Sequence, residues 1–222
     1  MLKSYVIRKG HFTDAQKKAY DSLYEKYIIP FADNKLDFRN IFGNSAGVTL
    51  EIGFGSGFAT AEIAQANPDK NYLGVEVHRP GIGKLLWEIE KRSLDNIRII
   101  EYDAAAVTEK MIPENSLDAI HVFFPDPWPK KRHHKRRLIQ NPFTLALARR
   151  LKPGGYLYMV TDWEDYAVFA LDALASCPFL KNTCENFAVG QDWRPKTKFE
   201  QKGLAKDHKI RELFFIRIEE NQ

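Results

Sequence analysis

A carboxylate set between two prolines and beside an aromatic ring stands in the run Phe123-Phe124-Pro125-Asp126-Pro127-Trp128-Pro129. Proline fixes φ and removes a backbone donor, so Asp126 sits on a stiff stretch of chain. A rigid carboxylate next to a flat ring suits holding a planar nucleobase. The run empties at once into Lys130, Lys131, Arg132, His133, His134, Lys135, Arg136 and Arg137, cations suited to the phosphates that a nucleobase carries with it. The chain has 33 Lys+Arg against 29 Asp+Glu, and without residues 129–137 the balance becomes 27 against 29. The whole positive excess therefore lies in one segment, which makes it an electrostatic footprint.

A second cluster sits near the other end of the pattern. Leu50-Glu51-Ile52-Gly53-Phe54-Gly55-Ser56-Gly57 joins an apolar burst to a helical stretch, and glycines at 53, 55 and 57 let backbone approach a ligand where any Cβ would collide. A tight turn would use the same glycines. The following two apolar bursts end near Glu76, placed to meet ribose hydroxyls, and Asp103, placed to meet an adenine amino group. The spacing is Gly-x-Gly-x-Gly and not the Gly-x-Gly-x-x-Gly of dinucleotide sites. Glu51 would also repel a pyrophosphate. S-adenosylmethionine carries no phosphate but does carry a sulfonium and an ammonium, and it tolerates Glu51.

The elements that must position these residues follow from the apolar rhythm. Bursts at 48–52, 72–77, 97–102, 117–124 and 156–161 alternate with helical stretches at 58–66, 82–93, 137–151 and 164–175. Bursts of this kind are buried on both faces, and the alternation predicts an α/β fold with a mostly parallel sheet between helices. An amphipathic helix over 14–28, capped by Thr13 or Asp14, precedes them. Two further strands, 182–189 and 211–219, predict an antiparallel C-terminal edge, joined by a polar loop of a length that usually has a task. The expected organisation is a helical extension over 1–47 and one domain over 48–222.

Composition narrows the classes. With 222 residues and 44% hydrophobic content the chain can bury a sizeable core. No apolar stretch approaches the roughly 20 residues of a bilayer span, so a cytoplasmic location is expected. The two cysteines, Cys177 and Cys184, make neither a disulfide framework nor a four-ligand zinc site. No metal, no membrane and no obligate protein partner is expected.

The glycine loop, its acids and Leu151-Lys152-Pro153-Gly154-Gly155 resemble the class I S-adenosylmethionine-dependent methyltransferases, with a Rossmann-like, seven-stranded sheet. Gly74-Val75-Glu76-Val77-His78-Arg79-Pro80-Gly81, the run 123–137, Thr161-Asp162-Trp163 and Thr197-Lys198-Phe199-Glu200 narrow this. Together they resemble the bacterial tRNA (guanine-N7)-methyltransferases, which methylate a guanine of the tRNA variable loop. The resemblance implies that Glu51, Gly53, Gly55, Gly57, Glu76, Asp103 and Asp126 meet the cofactor and that Asp126 is the catalytic carboxylate. It places Lys130, Asp162, Thr197, Lys198, Phe199 and Glu200 on substrate, and Arg132, His133, His134, Lys135, Arg136 and Arg137 on RNA. One departure is Lys202, where members of the family often carry Arg.

Guanine N7 offers an in-plane lone pair and needs no deprotonation, so the chemistry asks for alignment and for a carboxylate near the charge that develops on the ring. Two alternatives remain at this point: an amino-group methyltransferase of adenine or cytosine, and a noncatalytic RNA-binding subunit on the same fold. The first class brackets its acid differently, with an Asp/Asn-Pro-Pro-aromatic motif. The second would not need an intact glycine loop with a full set of acids.

Overall fold

A computed structural model describes residues 4–5, 12–205 and 207–219, without the side chains of Lys198, Phe199 and Lys202. Its seven strands stand side by side in the order 97–101, 71–76, 48–52, 117–123, 151–161, 211–217 and 180–182. The chain folds as two compact units, one drawn from residues 7–113 with 193–195, the other from 1–6, 114–192 and 196–222.

In the first unit, helix α1 (Asp14–Tyr27) begins at a full capping box: the Thr13 hydroxyl accepts from the Gln16 amide, and the Gln16 side chain accepts from the Thr13 amide. A short helix α2 (Phe38–Phe42) follows, capped by Asp37. Strands β1 (Val48–Ile52), β2 (Asn71–Glu76) and β3 (Ile97–Glu101) pair in parallel, with Leu50 opposite Leu73 and Tyr72 opposite Ile97. Every residue of β1 is buried, as expected of a strand covered on both faces. Helices α3 (Phe58–Ala66), α4 (Arg79–Arg92, with Pro80 in its first turn) and α5 (Ala104–Lys110) complete the unit. Its core is Leu50, Leu73, Ile82, Leu85, Leu86, Ile89 and Ile99, and α1 packs along α4.

The second unit holds β4 (Leu117–Phe123), a 3-10 turn (Lys131–Arg136), α6 (Phe143–Arg150), β5 (Leu151–Thr161), α7 (Glu164–Ala175), β6 (Leu180–Asn182), α8 (Lys198–Leu204) and β7 (Arg211–Arg217). β4 and β5 run parallel, while β7 is antiparallel to both β5 and β6. Ile120, Val122, Leu147, Leu157, Met159, Leu174 and Phe215 form the core.

Four expectations change in detail. The helix expected over 137–151 begins only at Phe143, because Pro142 has no amide to donate and serves as its N-terminal cap, while 131–136 winds as a tighter 3-10 turn. The strand expected over 182–189 shrinks to Leu180–Asn182 and one bridge at Ala188. There Asn182 takes over the local backbone: its side-chain Nδ2 donates to the Asn186 carbonyl and its Oδ1 accepts from the Cys184 amide, which keeps the following residues from continuing the ladder. β5 starts five residues early, at Leu151, with a register shift opposite Leu117 and Ala119. The long C-terminal loop contains α8, capped by the Thr197 hydroxyl, which accepts from the Glu200 amide at 3.1 Å.

Candidate functional site

In the first unit the expected cofactor residues follow the carboxyl ends of the three strands, where open α/β sheets hold ligands. The loop after β1 is held by Glu76 at the end of β2. One Glu76 oxygen accepts from the Gly55 amide at 2.9 Å, and the other from the Val77 and His78 amides at 2.6 and 3.0 Å. Gly53, Gly55 and Gly57 all lie in the left-handed region, with φ +73°, +58° and +67°. At Gly55 a Cβ would point into open space, with no described atom beyond its chain neighbours within 4 Å. Its opposite side is tight. A Cβ on Gly81, in the first turn of α4, would sit 2.0 Å from the Gly55 carbonyl oxygen.

Glu51 lies beneath this loop and is only 4% exposed. Burial pushes its carboxyl up to about 7; the Thr60 hydroxyl acts the other way and the like charge of Glu76 adds to the rise. A buried acid poised this way is stabilised in its charged form by a cation, and a phosphate would make it worse. The donor set therefore fits S-adenosylmethionine and does not fit a pyrophosphate ligand. Asp103 is half-buried just past β3, and one of its oxygens is already engaged as the cap of α5, accepting from the Ala106 amide at 3.0 Å.

A cluster that the sequence did not reveal braces the same unit. The Tyr20 hydroxyl of α1 donates to Glu101 at 2.5 Å, and Arg79 Nε donates to the same carboxylate at 2.6 Å. Burial and the bond to Glu101 raise the Tyr20 hydroxyl pKa. These contacts hold α1 to the last residue of β3 and the first turn of α4, next to Gly81. Their signal in the sequence is only Arg79 within the run 74–81.

In the second unit Asp126 is exposed on the stretch after β4. Phe124 and Trp128, on either side of Pro125-Asp126-Pro127, both take left-handed backbone, φ +50° and +47°. Two bulky residues held in that region mark a loop that its surroundings over-determine, as at many functional sites. Trp128 is half-buried: its indole donates to the Ser4 carbonyl at 3.0 Å, the His133 ring meets it edge-on at 5.8 Å, and the Arg136 guanidinium lies over it at 4.8 Å.

The 3-10 turn sorts the basic run into three faces, because residues three apart eclipse one another. Arg132 and Lys135 are exposed, as are Lys130 and Lys131. His133 and Arg136 flank Trp128. His134 and Arg137 turn toward α7. His134 is half-buried, 3.8 Å from Asp165, and Arg137 is 1% exposed. Arg137, one of the residues expected on RNA, is thus buried while Arg132 and Lys135 are exposed. Desolvation, followed by the charges of Arg132, Arg136, Lys130 and Lys135, lowers the pKa of His133 and favours its neutral form.

Asp162 follows β5 and is a third exposed, with His208 Nδ1 3.4 Å from its carboxylate. α8 reaches it through Gly203, where a Cβ would come within 3.0 Å of the Asp162 side chain. The cap Thr197 and the buried Glu200 thus belong to an element packed on Asp162, whereas the side chains of Lys198 and Phe199 lie outside the described ones. Among the described residues no cluster of three or more His, Cys, Asp or Glu has the arrangement of a metal site, and no helix is long and apolar enough to cross a membrane.

Residues 45–213 match a family described as "Putative methyltransferase". The chain is 53% identical to the tRNA (guanine-N(7)-)-methyltransferase of Nitrosomonas eutropha, over 97% of this chain and 96% of that one. It is 50% identical to the protein of the same name from Bordetella pertussis, over 97% and 85%. Among solved structures it is similar to the 16S rRNA methyltransferase KamB, with a TM-score of 0.57 over 96% of this chain and 98% of that one, at 14% identity. That last likeness shows the fold alone.

Proposed function

This chain belongs to the tRNA (guanine-N(7)-)-methyltransferase family, and we propose from that membership that it transfers a methyl group from S-adenosylmethionine to N7 of a guanine in the tRNA variable loop. Its fold is the Rossmann-like class I methyltransferase fold, a seven-stranded, mostly parallel sheet with an antiparallel C-terminal edge. The observation that carries the choice of cofactor is Glu51, a carboxylate buried beside a loop with glycine at 53, 55 and 57. The Gly53–Gly57 backbone, Glu51, Glu76 and Asp103 hold the cofactor, whose sulfonium supplies an electrophilic methyl carbon. We place the enzyme in the cytosol, where tRNA is available.

N7 of guanine attacks through a lone pair that needs no base, so the protein's contribution is alignment and electrostatics. Asp126, on its stiff loop, favours the positive charge that grows on the purine as N7 bonds to carbon. Asp162, with α8 packed against it, accepts from guanine N1–H and the exocyclic amine, donors that adenine does not present together. Lys130, Arg132, Lys135 and Arg136 meet backbone phosphates, and Thr197 and Glu200 hold α8 over the substrate. N7 faces the deep groove of A-form RNA, which proteins enter poorly, so a loop guanine is the accessible target.

The test is incubation with labelled S-adenosylmethionine and unmodified tRNA, then digestion and nucleoside identification. Labelled 7-methylguanosine is the expected product. Labelled methyladenosine or methylcytidine would replace this reading with an amino-group methyltransferase. Cofactor binding without any transfer would leave a noncatalytic RNA-binding subunit.

A further inference from the structure

Arg137 closes the most basic segment of the chain, yet its side chain points away from solvent. It is among the largest fully buried side chains of the described residues, at 1% exposure. A buried guanidinium must be paired and hydrogen-bonded, and this one is both. Its Nε donates to the Pro127 carbonyl at 3.0 Å, and its Nη2 donates to the Asp165 carboxylate. The same Nη2 lies 3.1 Å from His134 Nε2. The Tyr166 and Phe169 rings of α7 lie 5.1 and 4.8 Å from its guanidinium carbon, close enough for cation–π attraction.

Those partners have specific addresses. Pro127 is the residue after Asp126, inside the loop bracketed by the left-handed Phe124 and Trp128. Asp165 sits in the first turn of α7, three residues after Asp162. Donation from Arg137 holds the Asp165 carboxyl below the usual carboxylate range, and burial opposes it only in part. One planar fork thus joins the Asp126 loop to the start of the helix that follows Asp162, with a fixed spread of donors that the compact ammonium of lysine does not reproduce.

We propose that Arg137 is a positioning residue of the methyl transfer: through Pro127 and Asp165 it sets the Asp126 loop relative to the start of α7, and it does not contact RNA. The inference rests on the reading of Asp126 as the catalytic carboxylate of a tRNA methyltransferase. It separates Arg137 from its neighbours in sequence. Arg132 and Lys135 point outward on the 3-10 turn, and Arg137 points inward.

The experiment compares Arg137→Lys, Arg137→Gln and Asp165→Asn with wild type and with Arg132→Ala. It uses single-turnover methylation of tRNA, tRNA affinity at several salt concentrations, and thermal melting. Wild-type transfer to guanine N7 is the control for the underlying reading; if it is absent, that reading has failed and not this one. For both Arg137 variants we expect the rate at saturating tRNA to fall at least tenfold, with tRNA affinity and its salt slope within twofold of wild type. Asp165→Asn, which leaves Arg137 in place but uncompensated, is expected to lose rate in the same direction and to fold, since the Asp165 side chain is 62% exposed. Arg132→Ala is expected to show what Arg137→Lys does not, a weaker tRNA affinity and a flatter salt slope. A flattened salt slope with an unchanged saturating rate for Arg137→Lys would overturn the proposal and make Arg137 a phosphate contact. Normal rates in the folded Asp165→Asn and Arg137→Lys variants would also overturn it.

Discussion

The buried Glu51 makes the chain sensitive to pH in a direction fixed by its environment. Its carboxyl rises from an ordinary 4.5 to about 7 in the folded chain, mainly through burial. An acid with a raised folded pKa binds its proton more tightly in the folded state. The stability it confers is full below about 4.5, declines as pH rises, and is gone above 7. At about 1.4 kcal/mol per tenfold change, the loss across that window has an upper limit of roughly 3 kcal/mol. The perturbation that isolates it is Glu51→Gln, which is neutral at every pH. The gap in Tm between wild type and Glu51→Gln should shift by several degrees between pH 5 and pH 8, with wild type losing ground as pH rises, at about 2–4 °C per kcal/mol.

Cofactor binding should run the opposite way. A cationic ligand favours the ionised carboxylate, so affinity should improve about tenfold from pH 6 to pH 8, and binding at pH 6 should release close to one proton. Calorimetry in two buffers of different ionisation heat reads that proton directly. A wild-type affinity that is flat over this range, with no proton released, would refute the argument and remove Glu51 from the cofactor's cationic group.

Three other outcomes are expected. Asp126→Ala should fold normally, because Asp126 is exposed, and should lower turnover on tRNA by on the order of 10²-fold as measured by single-turnover kinetics. Asp103 caps α5, and under the proposed function it also accepts from the cofactor's adenine, so Asp103→Ala should cost about 1 kcal/mol of stability in denaturant titration as well as cofactor affinity. Asp103→Asn should keep the cap and lose only affinity, by roughly 1–3 kcal/mol in calorimetry. Changing Arg132, Lys135 and Arg136 together to Ala should weaken tRNA binding and flatten the slope of log affinity against log salt by roughly 0.7–0.9 per lost phosphate contact, with cofactor affinity unchanged.

Much of the fold was legible in the sequence, because strands buried on both faces leave unbroken apolar runs. Residues 48–52, 58–66 and 164–175 match β1, α3 and α7 end to end. What failed was local competition that an apolar rhythm does not register. Asn182 binds backbone around itself and ends a strand that Phe187 and Val189 would otherwise extend. The helix α8 was hidden in plain view: Thr197-Lys198-Phe199-Glu200 has the Ser/Thr-x-x-Glu form of a helix start, and Thr197 caps as that form predicts.

The site residues divide along a similar line. Which acids follow which strands could be read from position alone, since strand ends are where an α/β sheet presents its side chains to a ligand. What each acid does there depends on partners far away in sequence. Glu76 spends its oxygens on the Gly55, Val77 and His78 amides, and Tyr20 reaches across 81 residues to Glu101. The basic run is the sharpest case, because charge says nothing of direction. Read at a period of three, as a 3-10 turn requires, 131–134–137 forms one row, 132–135 another and 133–136 a third. Only the row ending in Arg137 meets Asp165, Tyr166 and Phe169 of α7, and burial there requires a charged partner. Asp165 is that partner, so a run that looks uniform in sequence contains one cation whose loss should register in the reaction rate and others whose loss should register in the salt dependence of binding.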